Sequence, residues 1–407
     1  MSSKLDNNKV TEDNEQNDNE QNDNFVTKTY EKFDHMNLKE ELLRGIYSFG
    51  FENPSPIQKI AIMPIINNND VIAQAQSGTG KTGTFAISTL QRIDTNINIL
   101  QCLVLVPTRE LAIQIETVMK GIGSYCDVKT HSCIGGQQAN LDKDALSNGV
   151  HVVIGTPGRV YHMIKDGYMK INGMKMLIID EADEMLKIGF KEQLYEIFTM
   201  GFPQTMQVAL FSATLTPQTT EVASRFLHNP QKIILKKEEV NLSGIKQYKI
   251  DVVKQDFKIN TLLDIYKFIS VCQTIIFVNN KQTLIALAKE LQDLKISIVC
   301  IHGDMEQNER NMIMKEFRSG KYRMMLSTDI MARGIDVQQV ALVINYDFPN
   351  NRENYMHRIG RTGRFGRKGV SLSFVTDRDA SLVQDTVDFY HIEIKDLPAS
   401  LDGIFDQ

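Results

Sequence analysis

The chain contains no tryptophan, and its 407 residues include only five cysteines. These stand at 102, 126, 133, 272 and 300, odd in number and never in CxxC spacing. That pattern excludes a disulfide framework and a cysteine-rich zinc module, and it reads as reduced thiols of an intracellular protein. No run of about 18 apolar residues occurs, so no membrane-spanning helix is expected. The first residues are polar and acidic, so no secretory leader is expected either. A strong positive balance is also missing: the formal net charge is −5, which argues against indiscriminate coating of nucleic acid.

A hydrophobic fraction of 42% with 8% aromatics suits a globular protein, and 407 residues exceed one ordinary core, which suggests two domains. The charge is unevenly spread. Residues 1–24 carry Asp6, Glu12, Asp13, Glu15, Asp18, Glu20 and Asp23 against Lys4 and Lys9, which accounts for the whole −5. Within them Asn14–Asp18 and Asn19–Asp23 repeat one polar pattern. Such a segment buries too little surface to order itself and reads as a disordered tail. The body that remains is neutral, and a local cleft in it can still hold nucleic acid.

The organising stretch is Ala75-Gln76-Ser77-Gly78-Thr79-Gly80-Lys81-Thr82. Asp70–Gln74 before it reads as a buried strand, and Thr84–Leu90 after it as a helix. A glycine-rich turn between strand and helix, ending in Lys-Thr, is the context of a phosphate-binding loop. Gly78 and Gly80 let backbone amides approach a polyphosphate, where the helix N-terminus adds partial positive charge. Gln76, Ser77 and Thr79 complete the cradle. Lys81 would reach the β and γ phosphates, and the Thr82 hydroxyl would ligate Mg²⁺.

Short apolar runs then alternate with amphipathic segments, at 102–106, 152–154, 176–179 and 207–211. They read as parallel strands buried on both faces. Ligands of such sheets lie beyond the carboxyl ends of the strands, where this chain places Thr108-Arg109-Glu110, Thr156-Pro157-Gly158-Arg159, Asp180-Glu181-Ala182-Asp183 and Ser212-Ala213-Thr214. Residues 236–244 read as a linker. Beyond them the alternation restarts at 274–278, 297–301, 324–326, 341–345 and 371–375, without a second phosphate loop. The expected organisation is therefore a tail at 1–24, an α/β domain at 25–235 and a second at 245–407, with a cleft between the two that closes on ATP.

Asp180 follows an apolar strand, where a nucleotide-hydrolysing protein keeps its metal carboxylate, and Glu181 would orient or deprotonate the attacking water. His357-Arg358-Ile359-Gly360-Arg361-Thr362-Gly363-Arg364 lies in the second domain. Arg361 and Arg364 would bring positive charge to the phosphoryl group from outside the phosphate loop. For a polynucleotide the candidates are Thr108, Arg109, Gly136, Thr156, Arg159, Gly303, Gln307, Arg310 and Thr328. Several are hydroxyls, glycines or turns beside helix starts, which hold phosphates without much net charge and without reading bases. Thr156 also suits a plain helix cap.

Assembled in this order and spacing, these stretches resemble the DEAD-box RNA helicases, over roughly residues 30–395. The resemblance implies two RecA-like domains, each a parallel sheet flanked by helices, with ATP and Mg²⁺ as cofactors and RNA bound without sequence preference. It implies that Gln58 reads the adenine edge and that Phe33 stacks on the ring. Asp336 would contact the ribose, and Arg361 and Arg364 would be arginine fingers. Ser212 and Thr214, working with Asp183 and His357, would couple hydrolysis to strand separation. Within the family, Val71–Gln76, Asp180–Leu186, Arg333–Val340, Asn345–Asp347 and Asn351–Tyr355 are similar to the translation-initiation branch. The exon-junction branch, an ATP-locked RNA clamp, ranks second because it differs at positions matching Ile335, Gln338 and Asn354. A cytoplasmic monomer with a scaffold-protein partner is implied, nuclear if of the exon-junction kind, with no membrane. A DNA translocase is the remaining rival.

Overall fold

The computed structural model describes residues 28–76, 78–235, 244–269, 273–329, 340–363 and 369–398. Two sheets, each of seven parallel strands, carry the architecture. The first uses β1 (Val71–Gln74), β2 (Cys102–Leu105), β3 (Thr130–Cys133), β4 (Val152–Gly155), β5 (Met176–Ile179), β6 (Gln207–Ser212) and β7 (Gln231–Ile234). Their spatial order is β3-β4-β2-β5-β6-β1-β7. The second uses β8 (Ile245–Val253), β9 (Thr274–Phe277), β10 (Ile298–Ile301), β11 (Met324–Ser327), β12 (Leu342–Asn345), β13 (Gly369–Thr376) and β14 (Lys395–Asp396), in the order β10-β11-β9-β12-β13-β8-β14.

Parallel neighbours need a crossover, and helices supply it on both faces of each sheet. That is why β2, β4 and β5 are apolar throughout and wholly buried. Alternate side chains divide between two cores: Val104, Ile154 and Ile178 pack on one face with Phe85 and Phe211, while Leu103, Val153 and Leu177 pack on the other with Met185 and Leu194. Each such side chain taken from water contributes about 1.5–3 kcal/mol. No helix among the described residues is long and apolar enough to cross a membrane.

The helix Lys81–Arg92 begins where the phosphate loop ends. It packs closely on the helix Pro56–Ile66, and its buried hydroxyls bond back along it, Thr84 Oγ1 to Gly80 O at 3.1 Å and Ser88 Oγ to Thr84 O at 2.8 Å. Pro56 opens the Pro56–Ile66 helix at its first position, where no amide partner is lost. Asn280 and Asn351 cap helices of the second sheet, accepting from Thr283 N and Asn354 N, each at 2.8 Å. Of the nine runs read as strands after the phosphate loop, each overlaps an observed strand, whereas β3, β7, β8 and β14 are additions. The tail at 1–24 lies outside the described residues, as does the linker at 236–244 apart from Gly244.

Candidate active site

The ends of β1, β5 and β6, drawn from three distant parts of the sequence, meet around Lys81. Its Nζ donates to Glu181 Oε1 at 3.4 Å, and both side chains are buried. Glu181 is a non-glycine residue at φ +51°, a left-handed conformation that costs of order 1–3 kcal/mol. Burial works against the Lys81 charge, but attraction to Glu181, Asp180 and Asp183 outweighs it and holds its pKa above the ordinary lysine value. Burial pushes the Asp180 carboxyl up to about 7; Lys81 and the Glu181 amide, 2.9 Å from Asp180 Oδ1, oppose that rise, and the neighbouring carboxylates add to it.

One turn further, Asp183 N donates to Ser212 Oγ at 3.3 Å, Thr214 Oγ1 donates to Asp183 Oδ2 at 2.8 Å, and Ser212 Oγ donates to Thr214 O at 2.7 Å. These bonds weld the end of β5 to the end of β6. Asp183 Oδ1 is buried without a hydrogen-bond partner among the described residues. A crowded set of carboxylates with oxygen-only donors suits a hard dication that would relieve the repulsion. No group of three His, Cys, Asp or Glu among the described residues forms a cation cage by itself. Asp180 and Thr82, the latter half-buried at the helix start, are the residues that fit it.

The phosphate loop is pinned from behind. Gln58 Oε1 accepts from Ser55 N at 2.8 Å and its Nε2 donates to Gly80 O at 3.3 Å. One N–H and one lone pair of that amide remain for a ligand edge. Gly78 and Gly80 have φ of +86° and +103°, and a Cβ on Gly80 would stand 2.5 Å from Ser55 Oγ. A Cβ on Gly83 would meet Gln58 Nε2 at 2.5 Å and the Phe51 ring at 3.0 Å, which explains a glycine there. Phe33 does not face this loop as a stacking platform. Its ring has no exposed surface, sits in the core beside the first sheet and meets Tyr47 edge-on at 6.4 Å. The half-buried aromatic beside Gln58 is Phe51, seven residues before it in sequence.

Three turns at the carboxyl ends of the neighbouring strands β3, β4 and β2 form a second locus. They are joined through the backbone, Val106 N to Gly155 O at 3.0 Å and Thr156 N to Cys133 O at 3.2 Å. Gly136 has φ +79°, and a side chain there would run into the Arg109 guanidinium. Arg159 Nη2 donates to Gln137 O at 2.8 Å, and its Nη1 pairs with the buried Asp142. The Thr108 hydroxyl caps the helix Arg109–Ile122 by accepting from Leu111 N at 3.3 Å. Thr156 occupies a cap position at the helix Pro157–Lys165 without using its hydroxyl as the cap.

Gln307 and Arg310, read from sequence as nucleic-acid contacts, are instead buried at a seam between the two sheets' helices. Arg310 Nη1 lies 2.7 Å from Glu110 Oε1, Gln307 Nε2 donates to the same oxygen at 3.0 Å, and Arg109 Nη1 reaches Gln307 Oε1 at 3.4 Å. Glu110 attracts them because a nearly buried carboxylate needs partners. Gly303 is exposed and Thr328 half-buried.

In the second half, Arg358 is fully buried, and each of its three nitrogens is bonded. Its Nε pairs with Asp329 at 2.5 Å, Nη1 donates to Asp347 O and Nη2 to Asn279 Oδ1, each at 2.7 Å. Asp347 also holds the buried Lys258 at 2.9 Å. Burial alone would raise the Asp347 pKa, but Lys258, the Asn279 amide and Gln255 bring it below the ordinary carboxylate value. This network fixes the helix Arg352–Ile359, which carries buried His357. Arg361 follows, its Nε donating to His357 O at 3.2 Å. Ser77, Asp336 and Arg364 lie outside the described residues.

A phosphate loop beside a carboxylate pair in one parallel sheet, with a second parallel sheet joined to it through Glu110, Gln307 and Arg310, has the make-up of a two-domain nucleotide-dependent enzyme. The family model "DEAD/DEAH box helicase" matches residues 55–222, and "Helicase conserved C-terminal domain" matches 257–366. The chain is 52% identical over 374 residues to the "ATP-dependent RNA helicase eIF4A" of Pyricularia oryzae, covering 92% of this chain and 94% of that one. It is 51% identical to "Eukaryotic initiation factor 4A" of Drosophila melanogaster, covering 92% and 93%. Among solved structures, Saccharomyces cerevisiae Dbp5 bound to RNA and ADP BeF3 superposes with a TM-score of 0.85 at 32% identity, covering 92% of this chain and 98% of that one. The score falls to 0.65 against a variant of the same yeast protein bound to Nup159, Gle1, IP6 and ADP, at 31% identity and covering 89% and 96%. The chain belongs to the DEAD-box helicases. Within that family it resembles the eIF4A proteins, and its two halves are two RecA-like domains.

Proposed function

We propose that this protein is an ATP-dependent RNA helicase of translation initiation, one that separates short duplexes by closing its two domains on ATP and RNA. The observation that carries the reading is the weld Asp183–Thr214–Ser212 directly beside the Lys81–Glu181 pair. A change in charge at the phosphates reaches the end of β6 through two hydrogen bonds.

In the mechanism this arrangement supports, backbone amides from Gly78 to Lys81 and the Lys81 ammonium hold the β and γ phosphates. With phosphates present, Lys81 turns from Glu181 toward them and frees the Glu181 carboxylate, already placed by its left-handed backbone, to orient the attacking water. When bound, a magnesium ion held by Asp180 and Thr82 would neutralise charge on the phosphate oxygens. Arg361 and Arg364 supply positive charge from the second domain only when the domains are closed, so hydrolysis is gated by closure. Gln58 and Phe51 flank the base, Phe51 taking the stacking role that buried Phe33 lacks the surface for, and Asp336 holds the ribose. RNA lies on the turns carrying Thr108, Arg109, Gly136, Thr156 and Arg159, continued by Gly303 and Thr328. The turns meet phosphates and sugars, so binding is independent of sequence. Closure on two ligands makes their affinities mutually reinforcing. A monomer working in the cytoplasm with a scaffold protein fits the resemblance to eIF4A.

The deciding experiment is the ATPase rate with no nucleic acid, with single-stranded RNA and with DNA of equal length. RNA alone should stimulate, since DNA lacks the 2′-hydroxyl. Equal stimulation by DNA would make the protein a translocase, and ATP binding without stimulation would make it a clamp awaiting a partner.

A further inference from the structure

Two of the strand-end turns assigned to RNA, those after β3 and β4, are bridged by the Arg159 side chain. What holds that bridge in place lies behind it, in a residue no sequence pattern singles out. Asp142, in the first turn of the helix Ala139–Ser147, is fully buried. Its Oδ1 lies 2.8 Å from His131 Nε2 on β3, and its Oδ2 pairs with Arg159 Nη1 from the helix that follows β4. Held that way, the Arg159 fork turns its other nitrogen to the Gln137 carbonyl at 2.8 Å, the residue next to Gly136. One carboxylate therefore ties β3, the glycine turn after it and the turn after β4 into a single piece.

We infer that Asp142 is a positioning residue for RNA, acting through Arg159 to aim the Gly135-Gly136-Gln137 turn, and that Arg159 serves RNA binding through this brace. The inference rests on the reading that these turns hold RNA phosphates. A planar guanidinium can satisfy a carboxylate and a carbonyl at once, whereas an ammonium offers a point charge without that fixed fork. Without Asp142 the guanidinium is left nearly buried with no counter-charge and moves toward solvent, releasing the Gln137 carbonyl. The adjacent Gly136 turn, at φ +79° and with no room for a side chain beside Arg109, then loses its anchor.

The test uses the full chain, a labelled uridine homopolymer and a non-hydrolysed ATP analogue, with RNA affinity read by fluorescence anisotropy and analogue affinity measured separately. Asp142→Asn should weaken RNA binding about tenfold or more while the analogue binds as before. Arg159→Lys, which keeps the charge and loses the fork, should weaken RNA binding as well. The double variant should be no worse than the weaker-binding single. Unchanged RNA affinity in a folded Asp142→Asn protein overturns the inference, and so do additive losses in the double variant. Should Asp142→Asn fail to fold, unchanged RNA affinity in Arg159→Lys overturns it alone. Wild-type protein that binds RNA without any ATPase stimulation sinks the helicase reading, while the Asp142 loss in the same assay still upholds this one; wild-type protein that binds no RNA overturns both.

Discussion

The two halves of the molecule bury charge in opposite ways. Around Lys81, three carboxylates crowd one ammonium, the ion pair is long at 3.4 Å, Asp180 is pushed up to about 7, and Glu181 sits in a strained backbone conformation. Around Arg358 and Asp347, each guanidinium nitrogen and both Asp347 carboxylate oxygens find partners at 2.5–3.1 Å, and the Asp347 carboxyl lies below its ordinary pKa. The first cluster is tense without its ligands and the second is complete without any. Phosphates and a dication would relax the first. The second cluster ties the helix Arg352–Ile359, and with it His357, to the end of β12.

That contrast can be broken in four ways. Arg361→Ala should lower RNA-stimulated turnover by about 10³–10⁵ with ATP affinity nearly intact, because a finger acts on the transition state; unchanged steady-state kinetics would remove it from that role. Glu181→Gln should lower turnover by about 10²–10⁴ while ATP and RNA still bind, as single-turnover hydrolysis and equilibrium binding would show. Asp347→Asn should cost about 3–5 kcal/mol in denaturant unfolding, since it strands the buried Lys258 charge; a loss under 1 kcal/mol would put the second cluster on the same footing as the first.

Asp180→Asn is the mildest and the sharpest. The Asp180 pKa is 3.8 unfolded and about 7 folded, so its ionisation lowers stability progressively as pH rises from about 4 to 7, a loss complete above the folded value. Asp347 has the opposite sign, and its contribution is present above 3.8 and lost as pH falls through its lowered folded value. The ligand-free Asp180→Asn protein should therefore melt higher than wild type at pH 8 and about equally at pH 4. A parallel pair of melting curves across that range would contradict the strain assigned to the first cluster.

Much of this was legible before any coordinates. Strands buried on both faces advertise themselves as apolar runs, so β2, β4, β5 and β6 were readable, as were the strand-end groups beyond them. The phosphate loop was readable because glycine and Lys-Thr serve a local geometry. The strands that escaped are mixed in composition. β3 reads Thr-His-Ser-Cys near an edge, and β8 alternates polar and apolar residues over nine positions that periodicity alone did not separate from linker. Side-chain fate was less legible still. Gln307 and Arg310 look like any exposed Gln-x-x-Arg on a helix until Glu110, some two hundred residues away in sequence, is seen to face them. Phe33 and Phe51 differ in burial, which depends on packing that no window of sequence contains.

The position of β1 in its sheet bears on how the chain acquires its activity during synthesis. That strand leads into the phosphate loop and is made early, at residues 71–74, yet both its partners come from the far end of the domain: β6 at 207–212 and β7 at 231–234. On the ribosome, β2, β4 and β5 can pair with one another while β1 still waits for its neighbours, because bringing distant strands together carries a loop-closure cost that local pairing avoids. The nucleotide site is thus among the last parts of the first domain to form. A nascent chain halted before residue 207 would hold most of a sheet and no means of gripping ATP.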